Sequence, residues 1–408
     1  MTLPHPSIQK KYGLFAPWPA FGEDDFQAVQ SVLESGKVNY WTGPHGKAFE
    51  QEFAEFVGCE YGVAVANGTV ALELALEAMG IGQGDDVIVT ARTFVASGTA
   101  IAVRGAKPIF ADVDPASQNI TAETVEAALT PNTKAVVAVH LSGWPCEMNE
   151  LRQLCDDHGL KLIEDCAQAH GATYEGQAIG SLGDVAAFSF CQDKIMTTGG
   201  EGGMLTTNNA DIWERAWSFK DHGKSWDACF NREHNTVFRW LHESVGTNWR
   251  MTEMQSAMGR VALQKLPEWL TARRRHANIF DERFADNSAL DVAIPESHIQ
   301  HSYYKYYVFL QPEWIQAVWS RDAVVQEMQR LGIPCGSGIC PEIYREKVFD
   351  TPVFRPKERL PVAAQLSETA IMFPVHPTLS DDDIHAIADG LEYVIGMAEG
   401  QRSQLKAA

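Results

Sequence analysis

The sequence predicts an α/β protein: a large domain on a mostly parallel mixed sheet of the seven-stranded type, then a smaller C-terminal α+β domain. Three observations predict it. Short apolar runs take turns with helical patterns from about residue 60 to 205. Such alternation is the mark of βαβ units whose strands are covered by helices on both faces. Beyond about residue 285 the alternation gives way to an aromatic run and two further helical patterns. A chain of 408 residues, 45% hydrophobic and 21% charged, is long enough for both units. Residues 1–280, with an N-terminal arm, are expected to form the large domain and 281–408 the small one.

In chain order, strands are expected at Gly62–Val65, Asp86–Val89, Pro108–Phe110, Ala135–Val139, Leu160–Ile163, Val185–Phe190 and Gly203–Thr206. Helices are expected between them at Thr69–Met79, Val95–Val103, Thr121–Leu129 and Asn149–His158. Thr121 suits an N-cap, and Glu123 then falls in a first turn, where the helix dipole favours an anion. Helices follow at Asp211–Lys220 and Met251–Phe280, the second leading out of the large domain. The small domain should hold a strand at Tyr303–Leu310, a helix at Arg321–Leu331 and a closing helix at Asp381–Met397. Asp221–Val245, rich in His, Trp and charge, fits neither period and is expected to be a long loop.

Composition removes several classes of function. Lys and Arg total 33 against 53 Asp and Glu, a net charge of -20, which repels polyanions and argues against nucleic acid as partner. The eight cysteines form neither a CxxC pair nor a dense framework, so reduced thiols, a cytoplasmic location and no metal site are expected. No 18-residue apolar run suggests a membrane span. Met1 to Gly13 is polar, with Lys10 and Lys11, and no signal peptide is expected.

The chemistry concentrates in two stretches, Glu164-Asp165-Cys166-Ala167-Gln168-Ala169 and Ser189-Phe190-Cys191-Gln192-Asp193-Lys194, the latter followed by a Gly-rich turn. An acid, an amide, a hydroxyl and a lysine in this order suit a pyridoxal 5'-phosphate (PLP) site, where the protein orients the ring and the ring serves as electron sink. Asp165 follows a strand at the carboxyl end, where open sheets place ligands, and its charge would keep a ring nitrogen protonated. Lys194 is the candidate nucleophile and proton shuttle, since an amine buried among apolar groups loses its proton readily. Gly68 and Thr69 join a strand to a helix start, whose free N–H groups favour a phosphate. Ser189 adds a hydroxyl to the same anion, Gln168 a donor to the ring's phenolic oxygen, and Phe94 an aromatic face for stacking. Each of these residues has an ordinary structural role when taken alone: a cap, a surface carboxylate, a solvated lysine, a core ring. The run Gly199-Gly200-Glu201-Gly202-Gly203 lacks GxGxxG spacing, so a nicotinamide oxidoreductase is not supported.

From roughly Gly43 to Leu263 the chain resembles the DegT/DnrJ/EryC1/StrS family of PLP-dependent sugar aminotransferases. The motifs that carry the likeness are Asn67-Gly68-Thr69-x-Ala71-Leu72, Thr93-Phe94, Gly105-Ala106-x-Pro108, Glu164-Asp165-x-Ala167-Gln168-Ala169, Phe188-Ser189-Phe190-x-x-x-Lys194, Gly200-Glu201-Gly202-Gly203 and Asn248-Trp249-Arg250-Met251. The resemblance implies PLP-dependent transferase fold type I, with Lys194 as the Schiff-base lysine. It further implies that Asp165 and Gln168 hold the ring, that Phe94 stacks on it, and that Gly68, Thr69 and Ser189 hold the phosphate. It also implies a homodimer with shared active sites, in which Asn248 reaches the phosphate bound by the neighbouring subunit and Arg250 adjoins that pocket as a substrate contact. Cys191-Gln192-Asp193 departs from the His-containing segment that precedes the lysine in many relatives. Lysine at 194, where a dehydrating branch has histidine, favours amino transfer. The implied reaction moves an amino group from an amino acid, L-glutamate, to a keto sugar, a nucleotide-linked keto-deoxysugar for surface polysaccharide or lipopolysaccharide. An acidic keto sugar such as an oxidised 3-deoxyoctulosonate is the alternative acceptor, for which Arg250, Arg239 and Arg232 are the candidate carboxylate partners. A non-catalytic PLP-binding regulator is the alternative of a different class.

Overall fold

The computed structural model describes residues 15–234, 237–315 and 319–407, so most of the expected N-terminal arm lies outside the described residues. Two helices, α1 (Glu23–Ser35) and α2 (His45–Val57), precede the first strand. Strand and helix then alternate: β1 (Tyr61–Val65), α3 (Gly68–Ala78), β2 (Asp86–Thr90), α4 (Ala96–Val103), β3 (Lys107–Ala111), α5 (Ala122–Ala127), β4 (Thr133–Val139), α6 (Met148–His158) and β5 (Lys161–Asp165). A short hairpin, β6 (Thr173–Tyr174) and β7 (Gln177–Ala178), leads to β8 (Val185–Ser189) and β9 (Gly203–Thr207). Helices α7 (Ala210–Lys220), α8 (Trp226–Phe230) and α9 (Glu253–Phe284) follow. The C-terminal part holds β10 (Leu290–Asp291), β11 (Ile299–Gln300), β12 (Tyr306–Leu310), α10 (Pro312–Ile315), α11 (Arg321–Arg330), α12 (Pro361–Thr369), β13 (Ala370–Phe373) and α13 (Asp381–Ala407).

The main sheet has seven strands in the order β1-β9-β8-β5-β4-β2-β3. Pairings from β8 through β5, β4 and β2 to β3 are parallel, and β9 runs antiparallel between β8 and β1. Helices on both faces explain why the strands read as unbroken apolar runs. One face packs Phe49 and Phe53 of α2 against Phe188 and Phe190, with Phe53 and Phe188 meeting edge to face at 4.9 Å. The other packs Val63, Val87 and Leu205 under Leu72, Leu76 and Trp217. Each such side chain contributes about 1.5–3 kcal/mol by leaving water. Because the parallel strands point one way, the ends of β5 and β8 and the starts of α3 and α4 all face the same rim of the sheet.

A second core joins the end of α9 to β10, β12, β13, α11 and α13, with Phe280, Phe284 and Phe373 at its centre. Ile343, Tyr344, Phe349 and Leu366 instead pack into the core of the main sheet, so the C-terminal segment serves both. No described helix is long and apolar enough to cross a membrane.

The structure departs from the expected elements in identifiable ways. Asp221–Val245 is not all loop: Ser225 accepts from the Ala228 N–H at 3.2 Å and starts α8, whose Trp226 packs on Trp213 and Trp217. Strand β12 begins at Tyr306 rather than Tyr303, because Tyr303 has φ 48°, a left-handed conformation that a strand does not accommodate. The helix expected from Val95 starts at Ala96, which leaves Phe94 in the preceding turn. Helices α1, α2 and α12 and strand β13 were not expected. For α2 a signal existed, since Phe49, Phe53 and Val57 repeat every four residues and Gly58 closes the helix at φ 75°.

Candidate active site

A cavity of about 660 Å³ opens at the rim where β5 and β8 end and α3 and α4 begin. Gly68, Thr69, Phe94, Asp165, Gln168, Ser189 and Lys194 all line it. They come from four separate stretches of the chain, and the parallel sheet brings them together.

Asp165 is the last residue of β5 and is 3% exposed. Its Oδ2 accepts from Ser97 Oγ at 2.8 Å, and its Oδ1 from the Ala167 N–H at 3.1 Å. Burial pushes its carboxyl up; Ser97, the Ala167 N–H and Lys194 oppose this less strongly. A buried carboxylate so poorly compensated gains from a cationic partner, which the protonated ring nitrogen of a bound PLP would supply. The neighbouring Glu164 has a different task. Its two oxygens accept from the N–H groups of Gly180, Leu182 and Gly183, and His140 Nε2 lies 3.1 Å away. Because His140 Nδ1 accepts from the Cys146 N–H, Nε2 carries the proton given to Glu164. His140, Glu164 and Cys166 therefore lie close enough to hold a metal ion, but the first two are already committed to structural hydrogen bonds.

Gln168 Oε1 accepts from the Ser142 N–H at 2.8 Å, which leaves the amide nitrogen as the end free to donate. At the start of α3, Asn67 caps the helix by accepting from the Val70 N–H at 3.0 Å. The first-turn N–H groups at Gly68 and Thr69 have no acceptor within the helix and favour an anion. A Cβ at Gly68 would stand 2.5 Å from Cβ of Ser189, so only glycine lets the hydroxyl of β8 approach the helix start. Phe94 is 57% exposed at the mouth, an apolar face for a flat ring. Acid, amide donor, anion cradle and ring face thus fit the ring and phosphate of PLP.

Lys194 sits in the turn after β8, its N–H bonded to the Cys191 carbonyl at 3.1 Å. Burial pulls its amine below the usual lysine range, and the charges of Asp193 and then Asp165 work against that. Two residues that the sequence did not point to hold this turn. The indole Nε1–H of Trp18 donates to the Lys194 carbonyl at 2.8 Å. Trp18 is itself packed between Trp269, with centroids 5.1 Å apart, and the Arg273 guanidinium, 5.3 Å from its ring. Tyr304, in the segment before β12, donates from its hydroxyl to Asp193 Oδ2 at 2.5 Å and also lines the cavity. Ser97 and Ser142 were missed too, because a serine in a turn carries no signal until its partner is known.

Asn248 and Arg250 lie elsewhere. Asn248 is exposed, and its backbone pairs with that of Asp221. Arg250 Nη1 lies 2.5 Å from Oδ1 of Asp221, a fully buried carboxylate that also accepts from Lys224 and from the Trp41 indole. Arg232 pairs with Asp227 and Glu243, and Arg239 donates to the Cys229 carbonyl. None of these arginines lines the cavity; among its described lining residues Lys194 is the only lysine or arginine.

The model of the DegT/DnrJ/EryC1/StrS aminotransferase family matches residues 19–392. The chain is 34% identical over 395 residues to dTDP-4-dehydro-2,3,6-trideoxy-D-glucose 4-aminotransferase of Saccharopolyspora spinosa, covering 95% of this chain and 98% of that protein. It is 36% identical over 362 residues to GDP-perosamine synthase of Caulobacter vibrioides, covering 85% of this chain and 89% of that protein. The solved structure of an aminotransferase from Psychrobacter cryohalolentis superposes with a TM-score of 0.92 at 48% identity, covering 95% of this chain and all of that one. The architecture is fold type I of the PLP enzymes, as the resemblance implied. Matched by the family model over nearly its whole length, the chain belongs to the DegT/DnrJ/EryC1/StrS aminotransferase family.

Proposed function

We propose that this aminotransferase binds PLP and moves an amino group from L-glutamate to the carbonyl of a nucleotide-linked keto-deoxysugar used for surface polysaccharide or lipopolysaccharide. The observation that carries the reading is the convergence of Lys194, Asp165, Gln168 and the α3 cradle on one cavity. PLP supplies an electron sink for the pair left when a carbon beside nitrogen loses its proton. Asp165 keeps the ring nitrogen charged, Gln168 and Phe94 orient the ring, and Gly68, Thr69 and Ser189 hold the phosphate. Lys194 would anchor the coenzyme, and its Nζ, when free, would be the group that carries a proton between the reacting carbons.

The relatives named above act on dTDP- and GDP-linked sugars, which supports a nucleotide-linked acceptor without choosing its base. Lys194, the only lysine or arginine among the described lining residues, is taken by the coenzyme in this reading, so the acceptor's phosphates would find their cations on a second subunit, which supports a homodimer whose second subunit completes each site. In that dimer Asn248 reaches the phosphate held by the neighbouring chain, and Arg250 fixes the Asn248 segment through Asp221. Residues 1–280 form the coenzyme-binding domain and 281–408 the small domain. Eight free cysteines suit the cytoplasm.

The test is to incubate the PLP-loaded protein with glutamate and a panel of dTDP-, GDP- and UDP-linked keto sugars. One of them should be converted to an amino sugar, identified by mass, with 2-oxoglutarate released in equal amount. A protein that takes the amino group from glutamate but passes it to none of them would overturn the nucleotide-linked acceptor, and one that takes none from glutamate would overturn the donor.

A further inference from the structure

Tyr304 comes from the segment between β11 and β12, 111 positions from Asp193, yet it meets the lysine turn in two ways. Its hydroxyl is bonded to Asp193, and the face of its ring lies 4.9 Å from the Nζ of Lys194. The Nζ of Lys305 lies 4.8 Å from the same ring and 3.8 Å from Asp193 Oδ2. Two ammonium groups therefore lie against one aromatic ring. An aromatic quadrupole attracts cations, most strongly where water is excluded. A lysine that shuttles a proton has to stay close to the reacting carbons when it is not covalently held, and a long flexible side chain does not do so by itself.

We propose that Tyr304 is a positioning residue for Lys194, seating the ammonium form of its amine against the ring, with the like charge of Lys305 nearby opposing it. In its function this rests on the aminotransferase reading; in its geometry it does not. The groups facing Lys194 are Asp193 and Cys191 on its own turn, Asp165 at the end of β5, His170 beyond it, and Tyr304 with Lys305 from the C-terminal segment. Arg273 lies behind this set and adds positive charge toward His170 and Lys305. Asp193, Asp165 and the ring favour the charged amine; burial and Lys305 disfavour it.

The experiment measures the pH midpoint for labelling of Lys194 by an amine-selective acylating reagent, read by mass spectrometry. It uses the full chain stripped of coenzyme and checked by circular dichroism. The midpoint, unlike the rate, does not depend on how open the site is to reagent. Tyr304→Leu should lower the midpoint by about half a pH unit or more, because the cation loses its ring. Tyr304→Phe keeps the ring and should leave the midpoint in place, and Lys305→Met should raise it by removing a like charge. A midpoint unmoved or raised in Tyr304→Leu overturns the proposal, as does an equal fall in Tyr304→Phe, which would trace the effect to the hydroxyl. Should Tyr304→Leu fail to fold, the other two variants decide: a fall in Tyr304→Phe or no rise in Lys305→Met rejects the idea. No outcome depends on glutamate or sugar turnover, so failure here is distinct from failure of the proposed reaction.

Discussion

The rim of the sheet and the stretch from Asp221 to Arg250 carry the same kinds of residue, yet the structure uses them differently. At the rim, polar groups from β5, β8, α3 and α4 turn toward one cavity and leave it donors, a buried carboxylate and an amine. In the second stretch the charged groups satisfy one another: Arg250 and Lys224 hold Asp221, and Arg232 holds Asp227 and Glu243. Large apolar side chains are exposed there too, as at Trp240 and Val245. Among the described lining residues of the rim cavity Lys194 is the only lysine or arginine, so in the proposed dimer the second subunit would bring the cations for an anionic substrate.

Four experiments break or sharpen that contrast. The largest effect belongs to Lys194→Ala, which would remove anchor and shuttle together: turnover should vanish, and borohydride should no longer fix the coenzyme covalently to the chain, read as the loss of the added mass. Turnover at the wild-type rate would refute the assignment of the rim. Next come mixed dimers. Inactive Asn248→Ala and Lys194→Ala chains, each blocking a different half of a shared site, should regain about a quarter of wild-type activity when reassembled at random in equal amounts. If every hybrid stays inactive, each chain holds a whole site and the contrast between the two regions is wrong. Arg250→Ala leaves the buried Asp221 with fewer partners and should cost about 2 kcal/mol, read as a fall in Tm with weaker coenzyme retention. A raised KM for the sugar at unchanged Tm would instead make Arg250 a substrate contact. The smallest effect is expected for Trp18→Phe, which keeps the packing but loses the bond to the Lys194 carbonyl. A bond of about 1 kcal/mol predicts a kcat roughly fivefold lower with KM little changed, and a KM effect alone would place Trp18 against substrate.

Most of the main sheet was legible because buried parallel strands have to be apolar and their helices have to begin with caps. Asn67 and Thr121 show it, each accepting an N–H from the first turn of its helix. The residues that line the rim cavity were legible for a related reason: Asp165 and Ser189 end their strands and Gly68 opens a helix, so the candidate chemistry coincides with a local boundary. The three-residue error at Tyr303 arose because its φ is set by neighbours distant in the chain, and α8 was missed because its stability comes from packing on Trp213 and Trp217. Arg250 looked available in the sequence, where a guanidinium has no visible partner; folding brings Asp221 to it from 29 positions away.

The sequence by itself determined the α/β class, the order of the strands in the chain and the residues that meet at the rim cavity, since each depends on periodicity, caps or residue type within a few positions. Only the tertiary structure decided what holds Lys194 in place, because Trp18 lies 176 positions from it and Tyr304 lies 111 from Asp193. It also decided which charges are spent inside the chain. Hydrogen bonds and ion pairs reach about 3 Å, and nothing in the linear order says which distant groups the packing will bring within that reach.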